Sequence, residues 1–295
     1  MLVSFYCFLH DIKLIIFSVI YFQFTVDDSF ITFRHSYNLL NYNQLSWNIG
    51  DVREEAFTNL LYVGFGYISL LLGFGVEIVS KFFGLGILLY WFVTIWILEK
   101  RKNSYVARIF FALCIPVYVH AFSGLETLVF SYLLYCYLNV EERDFETKIF
   151  ISAILTLCRP EGIIFAILPL YRWIAHKSYK LNTYVSFKNN FKIIICLMIL
   201  FIFLFKIWYF SHVLPNSFIV KSKSEVDVVN LLRNIYSAAP WILTIVLLEF
   251  FQKSRFWKID ILLPIFVVTV LYMQSKLMMN YADRFWFQMF FPIII

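Results

Sequence analysis

The sequence predicts an all-α protein: a polytopic bundle of transmembrane helices forming one domain over residues 1–295, with interfacial helices in its first outer loop. Three observations predict it. Of the 295 residues, 61% are hydrophobic and only 15% are charged, against about 45–50% and about 25% in soluble domains. Mean hydropathy is +0.76, and the apolar residues fall into repeated runs between short polar segments, as expected of helices about 20 residues long crossing a hydrocarbon layer about 30 Å thick. Phe, Tyr and Trp make up 21% of the chain, a content that suits lipid contact and interfacial belts. The formal charge of +6 is carried by loop cations and not by a separate basic domain, which argues against a nucleic-acid partner. Cys7, Cys114, Cys136, Cys158 and Cys196 all lie in apolar runs without metal-ligand spacing, and His35, His120 and His212 form no metal set, so neither metal nor cofactor is expected.

The elements follow in order. The first apolar run, 14–26, has no small-residue cleavage site after it and is read as a spanning helix. Three cationic loops, 99–102, 172–192 and 253–258, are assigned to the cytoplasm. That choice requires the glycine-bearing run 58–76 to lie in the interface or re-enter. Segments 82–98, 105–121, 125–139, 147–158, 162–174, 191–210, 236–251 and 259–275 then alternate across the bilayer, and 285–295 starts a further helix. The 147–158 and 162–174 segments are short and read as half-spans meeting at an embedded turn. This threading places five polar clusters on the extracytoplasmic side: TVDDSFITFR (25–34), SGLET (123–127), CRPEG (158–162), VLPNSFIVKSK (213–223) and YADRFW (281–286). Ionisable groups gathered at helix ends on one surface point to a functional site.

The first outer loop, 27–57, opens on the adjacent carboxylates Asp27 and Asp28. Residues 27–40 read as an amphipathic interfacial helix. Phe30, Phe33, Tyr37 and Leu40 share one face, while Asp27, Arg34 and Asn38 line another. Asp27 falls near the helix N-terminus, where the dipole favours an anion.

Several strings in this chain resemble motifs of membrane glycosyltransferases of the GT-C class, and most of all the terminal arabinofuranosyltransferase-like family. The first is DDSFITFRHSYNLLNYNQLSWNIGDVREEAFTNLLY, followed in order by SGLET, CRPEG, LPNSFIVK and DRFWFQMFFPIII. The similarity runs from about residue 25 to the end. Two departures stand out: Glu55-Ala56-Phe57 replaces the family's Gly-Tyr before Thr-Asn, and the chain stops inside an apolar run where family members continue, as a short or truncated member would. The resemblance implies transfer of a sugar from a polyprenyl-phosphate donor to a hydroxyl of an envelope glycan or glycolipid, with inversion, outside the cytoplasmic membrane. It implies Asp27 as general base and Asp28 as its orienting or acceptor-binding neighbour, with the reverse assignment open. Lys221, Arg284, Arg34 and Arg159 are the candidate phosphate cations. Glu126, Glu161 and Asn59 are expected to orient groups or bind the acceptor. The chemistry suits those types: a carboxylate takes the acceptor proton, and a cation steadies the phosphate that leaves. A flippase or transporter of lipid-linked saccharides is the alternative class, and a polytopic scaffold without a site a third.

Overall fold

The computed structural model describes residues 2–50, 53, 55–102, 106–141, 143–177, 228–252, 259–274 and 280–295, with parts of 197–211. Among the described residues all regular structure is helical. In order the helices are α1 (Leu2–Tyr21), α2 (Asp27–Tyr42), α3 (Leu60–Leu71), α4 (Val76–Lys102), α5 (Val106–Leu113), α6 (Ile115–Phe122), α7 (Thr127–Asn139), α8 (Phe145–Cys158), α9 (Ile164–Lys177), α10 (Val228–Gln252), α11 (Ile259–Gln274) and α12 (Arg284–Ile294). Most agree with the predicted segments to within a few residues, but α1 and α10 begin well before the expected residues 14 and 236, the expected 191–210 segment lies mostly outside the described residues, and one segment is broken. The single helix expected over 105–121 is two, because Pro116 opens a new helix after the extended residue Cys114, and proline favours a first turn over a helix interior.

The core is built around α12. It packs against α7 and α10, and every residue from Arg284 to Ile293 is buried. A helix that is apolar on nearly all sides belongs inside a bundle. Its Phe291 lies 4.8 Å from Phe287 and 5.3 Å from Trp91 of α4, ring centre to ring centre. The outer faces are apolar as well: Val19 on α1, Phe82 and Tyr90 on α4, Tyr171 on α9 and Tyr236 on α10 are all exposed. Val76–Ile97, with a hydropathy of 1.8, is the one described helix long and apolar enough to cross a membrane; α6 and α7, bent by 119° at their junction, pass the same test only as a pair. Helix α3, with 12 residues, rises about 18 Å, too short to span alone.

The polar face of α2 differs from the expectation. Ser29, Thr32, Phe33, His35, Ser36 and Asn38 are buried where α2 packs on α3. Asp27, Phe30, Arg34, Tyr37 and Asn41 are exposed. Asn38 lies on the side of Asp27 and Arg34 but is covered by the loop after α2, its amide donating to the carbonyls of Ser46 and Trp47 at 2.9 and 3.0 Å. Phe30 and Tyr37 do not pack inward with Phe33. At the entrance to α2, the Thr25 hydroxyl donates to Glu77 at 2.7 Å, and Lys81 pairs with the same carboxylate at 3.2 Å, fastening the α1–α2 turn to α4.

Candidate functional site

Four of the five predicted outer clusters lie within the described residues, and each contributes at least one charged side chain to a common network. The fifth, 213–223, lies outside them, and with it Lys221.

Glu126 is the hub. It stands at the N-terminus of α7 but makes no side-chain cap bond there. Its carboxylate, fully buried, is turned instead toward three other elements. Oε1 lies 2.9 Å from Arg284 Nη2 and 3.1 Å from Arg159 Nη1. Oε2 accepts from the Asn59 amide at 2.7 Å, and Asn59 in turn accepts from the Thr32 hydroxyl at 2.9 Å. Arg159 reaches further to Glu161, 2.6 Å from its Nε. The Tyr272 hydroxyl donates to Glu161, and Gln288 donates to Tyr272. Arg284 also binds the Thr127 hydroxyl at 3.1 Å and comes within 3.8 Å of Asp28. Buried charges persist only when paired and hydrogen-bonded, and Glu126, Arg159, Glu161 and Arg284 meet that demand. Burial by itself would raise the Glu126 acid; the guanidiniums of Arg284 and Arg159 outweigh it and hold that carboxyl below its usual range.

Local sequence explains how each member arrives. In SGLET, Gly124 has φ +76, and a Cβ there would sit 3.0 Å from the Ser29 Cβ and 3.2 Å from the Phe33 ring. The turn lies against the first turn of α2, where Val26 N donates to the Ser123 carbonyl at 3.1 Å. Gly124→Ala is expected to cost about 1–3 kcal/mol, from left-handed backbone and overpacking together, measured as a lowered unfolding midpoint. An unchanged midpoint would show that the turn does not clamp α2. In CRPEG, Arg159 leaves α8 in extended conformation with φ −154, and Pro160 opens a short 3-10 turn. Gly162 there approaches the Leu155 backbone so closely that a Cβ would lie 2.3 Å from its carbonyl carbon. In YADRFW, the consecutive non-glycine residues Ala282 and Asp283 have φ 45 and 52, a strained pairing for L-residues. His120 Nε2 donates to the Ala282 carbonyl at 3.1 Å. The Asp283 carboxylate accepts from Ser237 and the Trp241 indole at 2.8 and 3.3 Å. Those contacts aim Arg284 at Glu126. Burial pushes the neighbouring Tyr281 phenol up to about 12, so it stays neutral.

All the predicted site residues except Lys221 lie within the described chain. Asp27 is exposed, and its Oδ1 accepts the Asp28 backbone N–H at 2.9 Å. Neither acid caps α2, whose N-cap is Val26. Asp28 is turned toward the network, its side chain 26% exposed. Asn59, Glu126 and Glu161, expected to orient groups or bind the acceptor, are bonded to other side chains of the network. The phosphate role expected of Arg159 does not fit its position: it is 7% exposed and lies between two carboxylates, with its face against the Phe285 ring. Arg284, 6% exposed, is engaged in the same way by Glu126. Arg34 stands apart from the network, at the surface, where it donates to the Trp47 carbonyl and the Asn48 side chain. Thr32, Thr127, Tyr272, Asp283 and Gln288 are members that the sequence reading did not assign to the site. Gln288 carried one usable signal, a lone amide four residues after Arg284 and so on the same helix face.

The arrangement leaves two carboxylates of different character side by side. Asp28 is drawn toward a guanidinium, and Asp27 is exposed with no ion pair among the described residues. An exposed carboxylate fixed at a helix start can accept a proton from a bound hydroxyl. No family model, curated protein or solved structure matches this chain, and its likeness to arabinofuranosyltransferase-like proteins rests on the short motifs alone.

Proposed function

We propose that this protein is an integral membrane glycosyltransferase of GT-C type, multi-pass in the cytoplasmic membrane with its site on the extracytoplasmic face. It moves a sugar from a polyprenyl-phosphate donor to a hydroxyl of an envelope glycan or glycolipid, with inversion. One observation carries the reading: DDSF, SGLET, CRPEG and YADRFW, far apart in the chain, contribute Asp28, Glu126, Arg159, Glu161 and Arg284 to one charge cluster beside the exposed Asp27. The apolar outer faces of α1, α4, α9 and α10 support a lipid surrounding, since soluble chains rarely expose so much contiguous apolar surface.

In this reading Asp27 takes the proton of the acceptor hydroxyl as its oxygen attacks the anomeric carbon. The new O–C bond forms as the C–O bond to phosphate breaks, and the polyprenyl phosphate leaves with that electron pair. Asp28, turned to Arg284, orients the start of α2. Arg159 and Glu161 brace Arg284 through Glu126. The buried cations thus set geometry.

The test is to incubate the purified chain in lipid vesicles with a panel of radiolabelled polyprenyl-phosphate sugars and a glycan acceptor. Release of carrier phosphate matched by label on the acceptor is expected. Movement of intact donor across the bilayer without cleavage would replace this reading with the flippase.

A further inference from the structure

The buried network leaves open which group meets the donor's phosphate, since Arg159 and Arg284 are both enclosed and matched by acids. Arg34 is not. Its charge faces no carboxylate among the described residues, and it is exposed. It is also held still: the guanidinium lies 4.3 Å over the Trp47 ring, with Nε donating to the Trp47 carbonyl at 2.9 Å and Nη2 to Asn48 Oδ1 at 3.2 Å. A cation pinned at the surface by neutral partners, with a donor left over, is prepared for an anion.

Its place on α2 matters equally. Seven residues separate Asp27 from Arg34, which is 20° short of two turns, so both stand on one face about 10 Å apart along the axis. Between them on that face is Phe30, 48% exposed, with Tyr37 beyond, 51% exposed. Carboxylate, aromatic ring, guanidinium and aromatic ring make a row whose charges complement a sugar carrying a phosphate. The hydroxyl end suits the carboxylate, the C–H face of the ring suits Phe30, and the phosphate suits the fork of the arginine. A hydrogen bond at each end of the row leaves room for an attacking oxygen, an anomeric carbon and a bridging oxygen in line.

We propose that the exposed face of α2 between Asp27 and Arg34 is the seat of a glycosyl phosphate, with its phosphate on Arg34 and its sugar laid across Phe30. The proposal relies on the transferase reading for the identity of the ligand, while the seat itself is testable by binding alone. The phosphate can belong to a lipid carrier or to a free sugar phosphate.

The experiment measures binding to the full chain in vesicles of zwitterionic lipid. The probes are a short-chain prenyl-phosphate sugar, the same sugar 1-phosphate without the prenyl chain, and the unphosphorylated sugar. Both phosphate-bearing probes are expected to bind. Arg34→Gln is expected to weaken both by about 10- to 100-fold, the range for losing a charge-assisted bond, and Trp47→Leu by about 3- to 10-fold through loss of the pinning face. Tighter binding of the prenyl form assigns the seat to a lipid-carried donor, and equal binding to a soluble one. Asp27→Asn is expected to weaken binding by less than about tenfold, since its amide still bonds a hydroxyl, while transfer is lost. Arg34→Gln binding as wild type does, or wild type failing to bind either phosphate probe, overturns the seat. Arg34-dependent binding without any transfer would sink the transferase reading and leave the seat standing.

Discussion

Asp27→Asn is expected to slow sugar transfer by about 10²- to 10⁴-fold, the usual contribution of a positioned general base, with no change in helix content or unfolding midpoint. The expectation of an intact fold comes from position. Among the described residues Asp27 is exposed, makes no ion pair, and bonds to the backbone N–H that follows it, and Asn offers an oxygen of the same shape to that donor. The loss should fall on kcat with KM little changed, because the proton moves only in the transition state. Asp28→Asn should behave differently. It removes the negative partner 3.8 Å from Arg284 and is expected to shift both parameters, with a loss of about tenfold. If Asp28→Asn proved the more damaging to kcat and Asp27→Asn were nearly silent, the two roles would be exchanged. If neither mattered, the base would lie elsewhere and the mechanism would fail.

The positions of the helices were legible because apolar runs are long and polar breaks short, so the predicted and observed segments agree within a few residues over most of the described chain. The orientation of α2 was not legible, for a physical reason. Periodicity assigns burial to large apolar residues, but the neighbour here is α3, whose near face carries Gly66 and Ser69. A Cβ on Gly66 would lie 2.4 Å from Ser36 Oγ. Helices at such close approach bury small residues. Ser36 donates to the Thr32 and Val63 carbonyls at 3.0 and 2.9 Å, while Phe30 and Tyr37 are left outside. The hydrophobic pattern thus named the helix but not the burial of its small polar residues.

The candidate site was legible as a set of charges and illegible as a set of pairs. The polar clusters of DDSF, SGLET, CRPEG and YADRFW interrupt apolar runs, and an acid or cation in such a place demands a partner. Which partner depends on crossing geometry that no local spacing encodes. Arg159 and Arg284 read equally well as phosphate ligands and as partners for Glu126, and in this structure both are buried against Glu126. Tyr272 and Gln288 sit inside apolar helices and carry no charge, so only the fold brings Tyr272 to Glu161 and Gln288 to Tyr272. Arg34 shows the reverse: its exposure, invisible in sequence, is what keeps its charge available.

Removing the hub should produce the largest stability loss. Glu126→Gln keeps an oxygen for one neighbour and the volume of the side chain, yet leaves Arg284 buried with only Thr127 and, at 3.8 Å, Asp28; Arg159 retains Glu161 at 2.6 Å. Breaking a buried pair from one side costs about 3–5 kcal/mol, most of it the burden of the charge left behind. The same range is expected for Arg284→Met. The two changes made together should cost less than their sum, because the second no longer orphans a partner, and equilibrium unfolding of the four proteins of the cycle measures the coupling. The pH dependence provides an independent check with a definite sign. Arg284 and Arg159 hold the folded Glu126 acid below its ordinary value of 4.5, so the unfolded chain binds its proton first as pH falls. The stabilisation is complete above the ordinary carboxylate range and is lost as pH drops through the depressed folded value. Glu126→Gln should be less stable than the parent at neutral pH and should approach it in acid, since only the parent has that contribution to lose. Strictly additive single costs, or parallel stability curves across that acid range, would mean that Glu126 is not what holds Arg284 and Arg159 together.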